Sequence, residues 1–152
     1  MIAELSELEM EGLLRRQIVG RIGCYADGLV YVVPINYVYD AGNVYGQTGD
    51  GMKVHMMRRS PNVCFEVDQI DDIGSWQSVI GWGTYEELHG KDASDAADRL
   101  VARLMPLVAT GRSALHYHMT ASSIRGAYTA GRSESVVYRV RLERKTGRSE
   151  RP

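Results

Sequence analysis

The stretch Pro34-Ile-Asn-Tyr-Val-Tyr-Asp-Ala-Gly-Asn-Val-Tyr-Gly-Gln-Thr-Gly-Asp-Gly-Met-Lys53 decides how the rest of the chain is interpreted. It predicts a strand that ends in a turn at 40–43, and a second short strand at 44–48. A loop of small residues follows, and Lys53 stands at the start of a predicted helix. This order can bind a phosphate, because glycines let backbone N–H groups approach the anion and a helix start leaves N–H donors unpaired. Thr48 would add a hydroxyl group and Lys53 a positive charge.

The same stretch is also typical of a hairpin that runs into a helix, with Asp50 as the N-cap and Lys53 in solvent. If a phosphate binds here, we expect the Asp50 carboxylate to face away from it and to cap the helix. Two better-known phosphate motifs are excluded. The P-loop pattern fails because Met52 separates the last glycine from the lysine, and Val54 stands where Ser or Thr should follow. The dinucleotide fingerprint fails because Val54 also takes its third glycine position.

Length and charge narrow the class of protein. The chain has 152 residues and a net charge of −1, which fits a single domain over 1–152 and gives no basic face for nucleic acid. Its apolar runs all fall short of the roughly 18 residues of a membrane span. The acidic, amphipathic N-terminus does not resemble a signal peptide. Cys24 and Cys64 form no C-x-x-C motif, so we expect buried free thiols and a reducing, cytoplasmic setting.

Two main helices are predicted at 4–16 and 93–110. The first is amphipathic, and Ser6 and Glu9 have the spacing of a capping box. In the second, Pro106 is expected to kink the helix or to end it early. The other predicted helix boundaries are Ser94 as the cap of the second helix, and Met52 and Arg59 as the ends of a short one.

The predicted strands are joined mostly by short turns, which favours antiparallel pairing. Asp27-Gly28 predicts a hairpin. Pro34 cannot donate to a ladder and marks an edge, a bulge or a ligand-facing break, while Gly81 and Gly83 indicate bending or close approach of another backbone. About six strands closing into a bent barrel, with helices at its flanks, fit these signals. The predicted strands are 17–26, 29–39, 44–48, 63–67, 76–88 and 136–143, with a loose tail from Lys145.

Side chains for self-sufficient catalysis do not stand out in the sequence. A G-x-S-x-G motif is absent. His116 and His118, in an irregular segment at 111–134, could in principle chelate a metal, but no nearby Cys, Asp or Glu completes a ligand set. They are otherwise interpreted as polar loop residues, and His55 and His89 as surface positions. If the chain is an enzyme, we expect a cofactor to carry the chemistry.

Four segments, 34–40, 51–53, 61–67 and 76–83, follow one another with a characteristic order and spacing. Together they resemble the flavin-binding split barrels, which are relatives of pyridoxamine 5′-phosphate oxidase. The branch that they resemble most contains the nitroimidazole-resistance proteins. The resemblance implies a mostly β fold with flanking helices, a six-stranded antiparallel split β-barrel of the FMN-binding type. It also implies a homodimer with one FMN in each of two clefts at the subunit interface.

The resemblance also implies which residues contact FMN. Lys53 and Thr48 would meet the phosphate. For two of the implied ring contacts, Tyr37 and Trp76, packing in the core or in the dimer is an equally good explanation of the residue type. For a third, Val79, core packing is the favoured role. The remaining implied contacts are Pro34, Ile35, Asn36 and Tyr37 along the isoalloxazine ring, Gln47 beside them, and Trp76, Ser78 and Val79 lining the same pocket.

Two departures from the family pattern limit the functional prediction. Many relatives carry His where this chain has Gln47, so histidine-dependent chemistry such as nitro-drug reduction is not expected. The residues that would bind pyridoxamine phosphate are not identifiable, so vitamin B6 oxidation is not expected either, and segment 111–134 is expected to shape the substrate side. The favoured function is an FMN-dependent oxidoreductase. The alternatives are a flavin- or haem-binding protein without turnover, and a deazaflavin-dependent reductase on the same fold.

Overall fold

The computed structural model describes residues 1–109 and 135–151, and these form eight strands and three helices. The predicted class, mostly β with flanking helices, is confirmed. The strands are β1 (Ala3–Glu4), β2 (Val19–Ala26), β3 (Leu29–Asn36), β4 (Val38–Asp40), β5 (Asn43–Gly49), β6 (Asn62–Asp72), β7 (Ser75–Glu87) and β8 (Ser135–Glu150). The helices are α1 (Glu7–Arg16), α2 (Met52–Arg59) and α3 (Gly90–Ala109).

All eight strands belong to one antiparallel sheet. Its order is β3-β2-β6-β7-β8-β5-β4, and β1 pairs with β8 beside this path. β3, at one end of the order, also lies near β5, so the sheet curls towards closure as a barrel that stays split between them. Alternate side chains point into the barrel because successive strand residues face opposite sides. The fully buried ones include Ile22, Phe65, Val67, Val79, Tyr138 and Val140.

The predicted strand 29–39 is interrupted at Tyr37, which is one reason why eight strands replace the predicted six. The Tyr37 N–H donates to the carbonyl of Ile18 at 3.1 Å. Its hydroxyl group donates to the carbonyl of Leu14 at 2.7 Å. The hydroxyl bond ties Tyr37 to α1, and Tyr37 itself belongs to neither β3 nor β4. Pro34 lies on β3 at the edge of the sheet, which is one of the positions predicted for it.

α1 closes one side of the barrel. The predicted capping box is present, since the Glu9 N–H donates to Ser6 Oγ at 3.3 Å and the Ser6 N–H donates to Glu9 Oε2 at 2.9 Å. Capping fixes where the helix begins, and therefore which face it buries. That face contains Met10, Leu13 and Leu14.

β8 runs to Glu150, so the predicted end at 143 and the loose tail from Lys145 are wrong. Gly147 is the reason why this part of the strand can lie beneath α1. A Cβ atom at Gly147 would stand 2.8 Å from Met10 Cγ and 2.9 Å from Leu5 Cβ. The absence of a side chain therefore leaves room for the apolar face of α1.

Gly83 marks a close approach of two strands, as predicted. The register between β7 and β8 shifts between Trp82 and Gly83. A Cβ atom at Gly83 would stand 2.0 Å from the carbonyl oxygen of Arg141. The irregularity re-aims β8 as it crosses β7, which is what a bulge does in a curved sheet.

α2 has the predicted bounds, but its N-cap is Gly51 rather than Asp50. α3 starts at Gly90, so Ser94 lies within the helix and does not cap it. It continues past Pro106, so the predicted early end is wrong. Among the helices of the described residues, none combines the length and apolar character that a membrane crossing requires.

Candidate functional site

The glycine loop between β5 and α2 places Thr48 and Lys53 in direct contact. Lys53 lies in the first turn of α2, and its Nζ donates to Thr48 Oγ1 at 2.5 Å. Both side chains are half-buried. A Cβ atom at Gly49 or Gly51 would have no neighbour within 4 Å. The loop backbone is therefore open on this side to an approaching group.

Among the described residues, Lys53 has no carboxylate of the kind that normally accompanies a lysine removed from water. Within the described residues its ammonium group forms no ion pair, and its printed hydrogen bond goes to the Thr48 hydroxyl group. Burial lowers the pKa of Lys53, because desolvation disfavours the charged form. An anion placed beside it would remove this penalty.

Asp50 is the acidic residue of the same loop, and its carboxylate is engaged elsewhere. Arg58 Nη1 donates to Asp50 Oδ1 at 3.0 Å. His55 Nε2 lies 2.9 Å from the same oxygen. The capping role predicted for Asp50 is wrong, because the side chain reaches along α2 to these two residues. Its charge is therefore paired before any anion enters the loop.

The outer face of β3, β2, β6 and β7 carries a second group of polar side chains. Pro34 pairs with Arg21, and Arg21 pairs with Glu66 on the next strand. Arg21 Nη1 lies 3.1 Å from Glu66 Oε2 and 3.4 Å from Asp68 Oδ2. Burial and the nearby Asp68 raise the pKa of Glu66 against the opposing effect of Arg21. This cluster separates Pro34 from Ser78, which pairs with Asp68.

Three of the predicted contact residues point into the barrel instead. Tyr37 and Val79 are fully buried, and Ile35 is 7% exposed. Tyr37 packs edge-on against Phe65, with ring centroids 4.8 Å apart. Burial raises the pKa of Tyr37 well above its usual range. The side chains of these three residues therefore build the core, and only their backbone can contact a molecule outside it.

The register of β8 separates the two ends of the predicted site. Thr48 pairs with Val136, whereas Ser78 pairs with Arg148 and Trp76 with Glu150. Positions 136 and 148 are twelve residues apart along the strand, a path of about 40 Å at the usual rise per residue. One chain therefore brings Thr48 to Lys53, but does not bring Ser78 and Trp76 to them along β8.

Gln47 offers a buried acceptor next to Thr48. Its Nε2 donates to Ser135 Oγ. Its Oε1 is buried, and it has no hydrogen-bond partner among the residues that the structure describes. A buried carbonyl oxygen without a donor is costly, so a ligand N–H group would be accepted there.

An apolar groove of about 450 Å³ lies on the same outer face. Its walls include Val32, Cys64 and Trp82. Arg144 lies over the Trp82 ring, with its Cζ 5.1 Å from the ring centroid. Cys24 is buried and Cys64 is half-buried; both are free thiols. Several exposed apolar side chains cluster on this face. Tyr25, Val30, Val32 and Trp82 line the groove, and Ile80 lies beside it on β7.

Two of the four histidines lie in the described part of the chain, and two lie outside it. His55 and His89 are exposed, as predicted. His116 and His118 lie outside the described residues, as does the rest of segment 111–134. Within residues 1–109 and 135–151, no group of three metal-ligating side chains comes together.

Sequence reasoning did not identify Arg21, Glu66 or Arg58. Arg21 and Glu66 are 45 positions apart, and sheet order brings them together. Arg58 meets Glu87, which is 29 positions away. Alternation along the predicted strands could have placed Arg21 and Glu66 on the outer face, but not opposite each other.

The solved structures that the chain resembles are split barrels of one class. A FAD-binding protein from Mesorhizobium loti shares 28% identity and a TM-score of 0.76, and the match covers 99% of each chain. A proposed 5-nitroimidazole antibiotic resistance protein from Bacteroides thetaiotaomicron shares 18% identity and a TM-score of 0.68, over 98% of this chain and 87% of the other. The predicted split-barrel class is confirmed.

The family model for pyridoxamine 5′-phosphate oxidase matches residues 6–149, and the chain belongs to this family. The resemblance predicted from the sequence is therefore confirmed. An uncharacterized protein of Rhizobium meliloti is 30% identical over 84 residues, which are 55% of this chain and 56% of that protein. The match thus spans about half the length of this curated relative.

Proposed function

We propose that the protein binds FMN and acts as an FMN-dependent oxidoreductase. The observation that carries this proposal is the contact of Lys53 with Thr48, a half-buried ammonium group without an acidic partner among the described residues. The open space at Gly49 and Gly51 leaves room for a phosphate beside it, next to the N-terminus of α2. Together they form a fitting receptor for a phosphate group.

FMN and FAD both carry phosphate, and the similarity to a FAD-binding protein makes FAD the second candidate. FMN ends in one phosphate group, whereas FAD carries two linked phosphates. A single lysine and one threonine suit the one terminal phosphate of FMN. We therefore favour FMN.

The ring would lie beyond the phosphate, along the end of β3. Pro34 lies on the outer face there, opposite Arg21, and Asn36 follows at the end of β3. Ile35 and Tyr37 would contribute through their backbone. The buried Oε1 of Gln47 could accept a hydrogen bond from a ring N–H group. When bound, FMN would supply the redox chemistry, and the residues of the chain would bind and orient it.

We propose further that the protein is a homodimer and that the flavin lies between its subunits. The exposed apolar side chains of the outer face support this, because a two-fold interface would cover the same patch twice. The separation of Ser78 and Trp76 from Thr48 along β8 supports it too. A second copy could bring its own Ser78 and Trp76 to the flavin held by the first. The two free thiols are consistent with a cytoplasmic setting.

An absorption spectrum of the purified protein tests the cofactor, and chromatography of the heat-released flavin tells FMN from FAD. We expect FMN bands, and then oxidation of NADH or NADPH in a stopped-flow assay. A haem spectrum or a deazaflavin spectrum would contradict the proposal. Flavin bands without any oxidation of a donor would leave a flavin carrier instead of an oxidoreductase.

Sedimentation of apo and FMN-loaded protein over a dilution series tests the dimer. FMN that binds only the folded dimer should stabilise it by about 2.7 kcal/mol per site at a hundred times its dissociation constant. The loaded dimer should therefore resist dilution better than the apo form. A monomer in both states would contradict the proposed interface, and a dimer of unchanged affinity would place the flavin away from it.

A further inference from the structure

The loop that carries the proposed phosphate site is fastened to α2 through Asp50. The Asp50 carboxylate accepts two hydrogen bonds from Arg58 Nη1, at 3.0 Å to Oδ1 and 3.3 Å to Oδ2. Asp50 stands between Thr48 and Lys53 in sequence, whereas Arg58 lies in the last turn of the helix. The bond therefore spans α2 and ties the loop before it to its far end.

Arg58 also connects this loop to the barrel wall. Its Nε donates to Glu87 Oε1 at 2.5 Å, and the Tyr85 hydroxyl group donates to the same oxygen at 3.0 Å. Tyr85 is buried on the inner side of β7, so Glu87 is held from two directions. The bond from Arg58 lowers the pKa of Glu87 although burial opposes it. Arg58 is thus a link between Asp50 and a fixed point on β7.

We propose that Arg58 is a positioning residue for the phosphate-binding loop. Its bond to the Asp50 carboxylate fastens the loop and keeps the loop backbone and Lys53 facing the anion position. Without this bond, the loop backbone and Lys53 would no longer be held facing that position, and phosphate binding would weaken. This inference rests on the proposed function.

Titration of Arg58→Ala with FMN and with riboflavin tests the inference, because riboflavin lacks the phosphate. We expect FMN binding to weaken by about three- to tenfold, the scale of one ordinary hydrogen bond, and riboflavin binding to change by less than about twofold. Arg58→Lys should recover part of the loss. Arg59→Ala is the matched control, since Arg59 on the same helix pairs with Asp27, 2.7 Å away at the β2–β3 hairpin.

Asp50→Asn separates positioning from simple charge. If Asp50 acts through its bond to Arg58, the variant should weaken FMN binding, and adding Arg58→Ala should cost little more, as in a coupled pair. If the carboxylate only repels the phosphate, Asp50→Asn should tighten FMN binding and should restore it in the Arg58→Ala background. That second result would overturn the positioning role. The milder Asp50→Asn variant also serves if Arg58→Ala does not fold.

Lys53→Ala, measured alongside, distinguishes failure of this inference from failure of the proposed function. A selective loss of FMN in Lys53→Ala, with no selective loss in Arg58→Ala, would overturn the positioning role alone. Equal losses of FMN and riboflavin in Arg58→Ala would overturn it too, because they would indicate a general structural defect. An unchanged FMN affinity in Lys53→Ala would overturn the phosphate site itself.

Discussion

Lys145 and Lys53 are both removed from water, but their surroundings differ. Lys145 on β8 is 14% exposed and contacts two carboxylates of α1, those of Glu7 and Glu11. Lys53 meets the hydroxyl group of Thr48 and, within the described residues, no carboxylate. Burial lowers the pKa of both ammonium groups, but the bonds to Glu11 and Glu7 reverse this at Lys145 and raise its pKa.

The difference indicates which lysine serves the fold and which is available to a ligand. A buried charge stabilises the fold when it is paired with an opposite charge. Removing one member of such a pair is costly, because the other charge stays buried without a partner. A half-buried charge without a partner weakens the apo protein slightly and gains most from an anion. Lys145 therefore fastens α1 to the barrel, whereas Lys53 is the candidate phosphate ligand.

The largest effect on stability is expected from Lys145→Ala. The change takes its lysine from the Glu11 carboxylate, which is 19% exposed and keeps Arg15 at 3.1 Å and the Tyr39 hydroxyl group. Urea unfolding should show a loss of about 2 kcal/mol, which discounts the cost of a fully buried broken pair for partial exposure. Lys91→Ala, which removes an exposed pair with Asp95 on α3, should leave the unfolding midpoint unchanged. Equal behaviour of the two variants would contradict the fastening role.

A smaller effect on stability is expected when the pH is lowered, because the contribution of the Glu11 carboxylate is then lost. Burial would raise the pKa of Glu11, but hydrogen bonds from Lys145 and Tyr39 outweigh it and hold the pKa below the usual 4.5. A carboxylate with a lowered pKa stabilises the fold above its unfolded pKa, and this stability is lost as the pH falls through the folded pKa. Unfolding curves of wild type and Lys145→Ala should therefore converge below about pH 4. A constant gap down to pH 3 would contradict the assignment.

The smallest effect on apo stability is expected from Lys53→Met, which removes the charge and keeps most of the side-chain volume. Because Lys53 has no acidic partner in the described part of the chain, the apo protein should be unchanged or more stable by up to about 1 kcal/mol. Thermal unfolding without flavin measures this. A loss as large as that of Lys145→Ala would show that Lys53 is a structural residue, and the contrast between the two lysines would disappear.

The sequence predicted the fold well where local chemistry is decisive. The capping box at Ser6 and Glu9 and the hairpin at Asp27-Gly28 both appear in the structure. Asp27 and Gly28 adopt φ values of 52° and 79°, which the hairpin turn requires. Such signals lie within a few residues of each other, so the chain need not be folded for them to be recognised.

Contacts that depend on sheet order could not be predicted in this way. The segment from Lys145 onward contains several charges and resembles a solvated tail, yet Lys145 meets Glu7, which is 138 positions away. At the candidate site, Thr48 and Lys53 are five positions apart and were predicted together. The inward direction of Tyr37 depends on the break after β3. The separation of Ser78 from Thr48 depends on the register along β8.

Titration of Lys53→Ala with FMN and riboflavin tests the central claim most directly. Charge-assisted bonds to phosphate are strong, so FMN binding should weaken by about one to two orders of magnitude. Riboflavin, which has no phosphate, should be affected much less, and flavin fluorescence quenching reports both affinities. A selective loss of FMN is the result predicted for a phosphate anchor. Equal losses for the two ligands, or no loss for either, would contradict the assignment of Lys53.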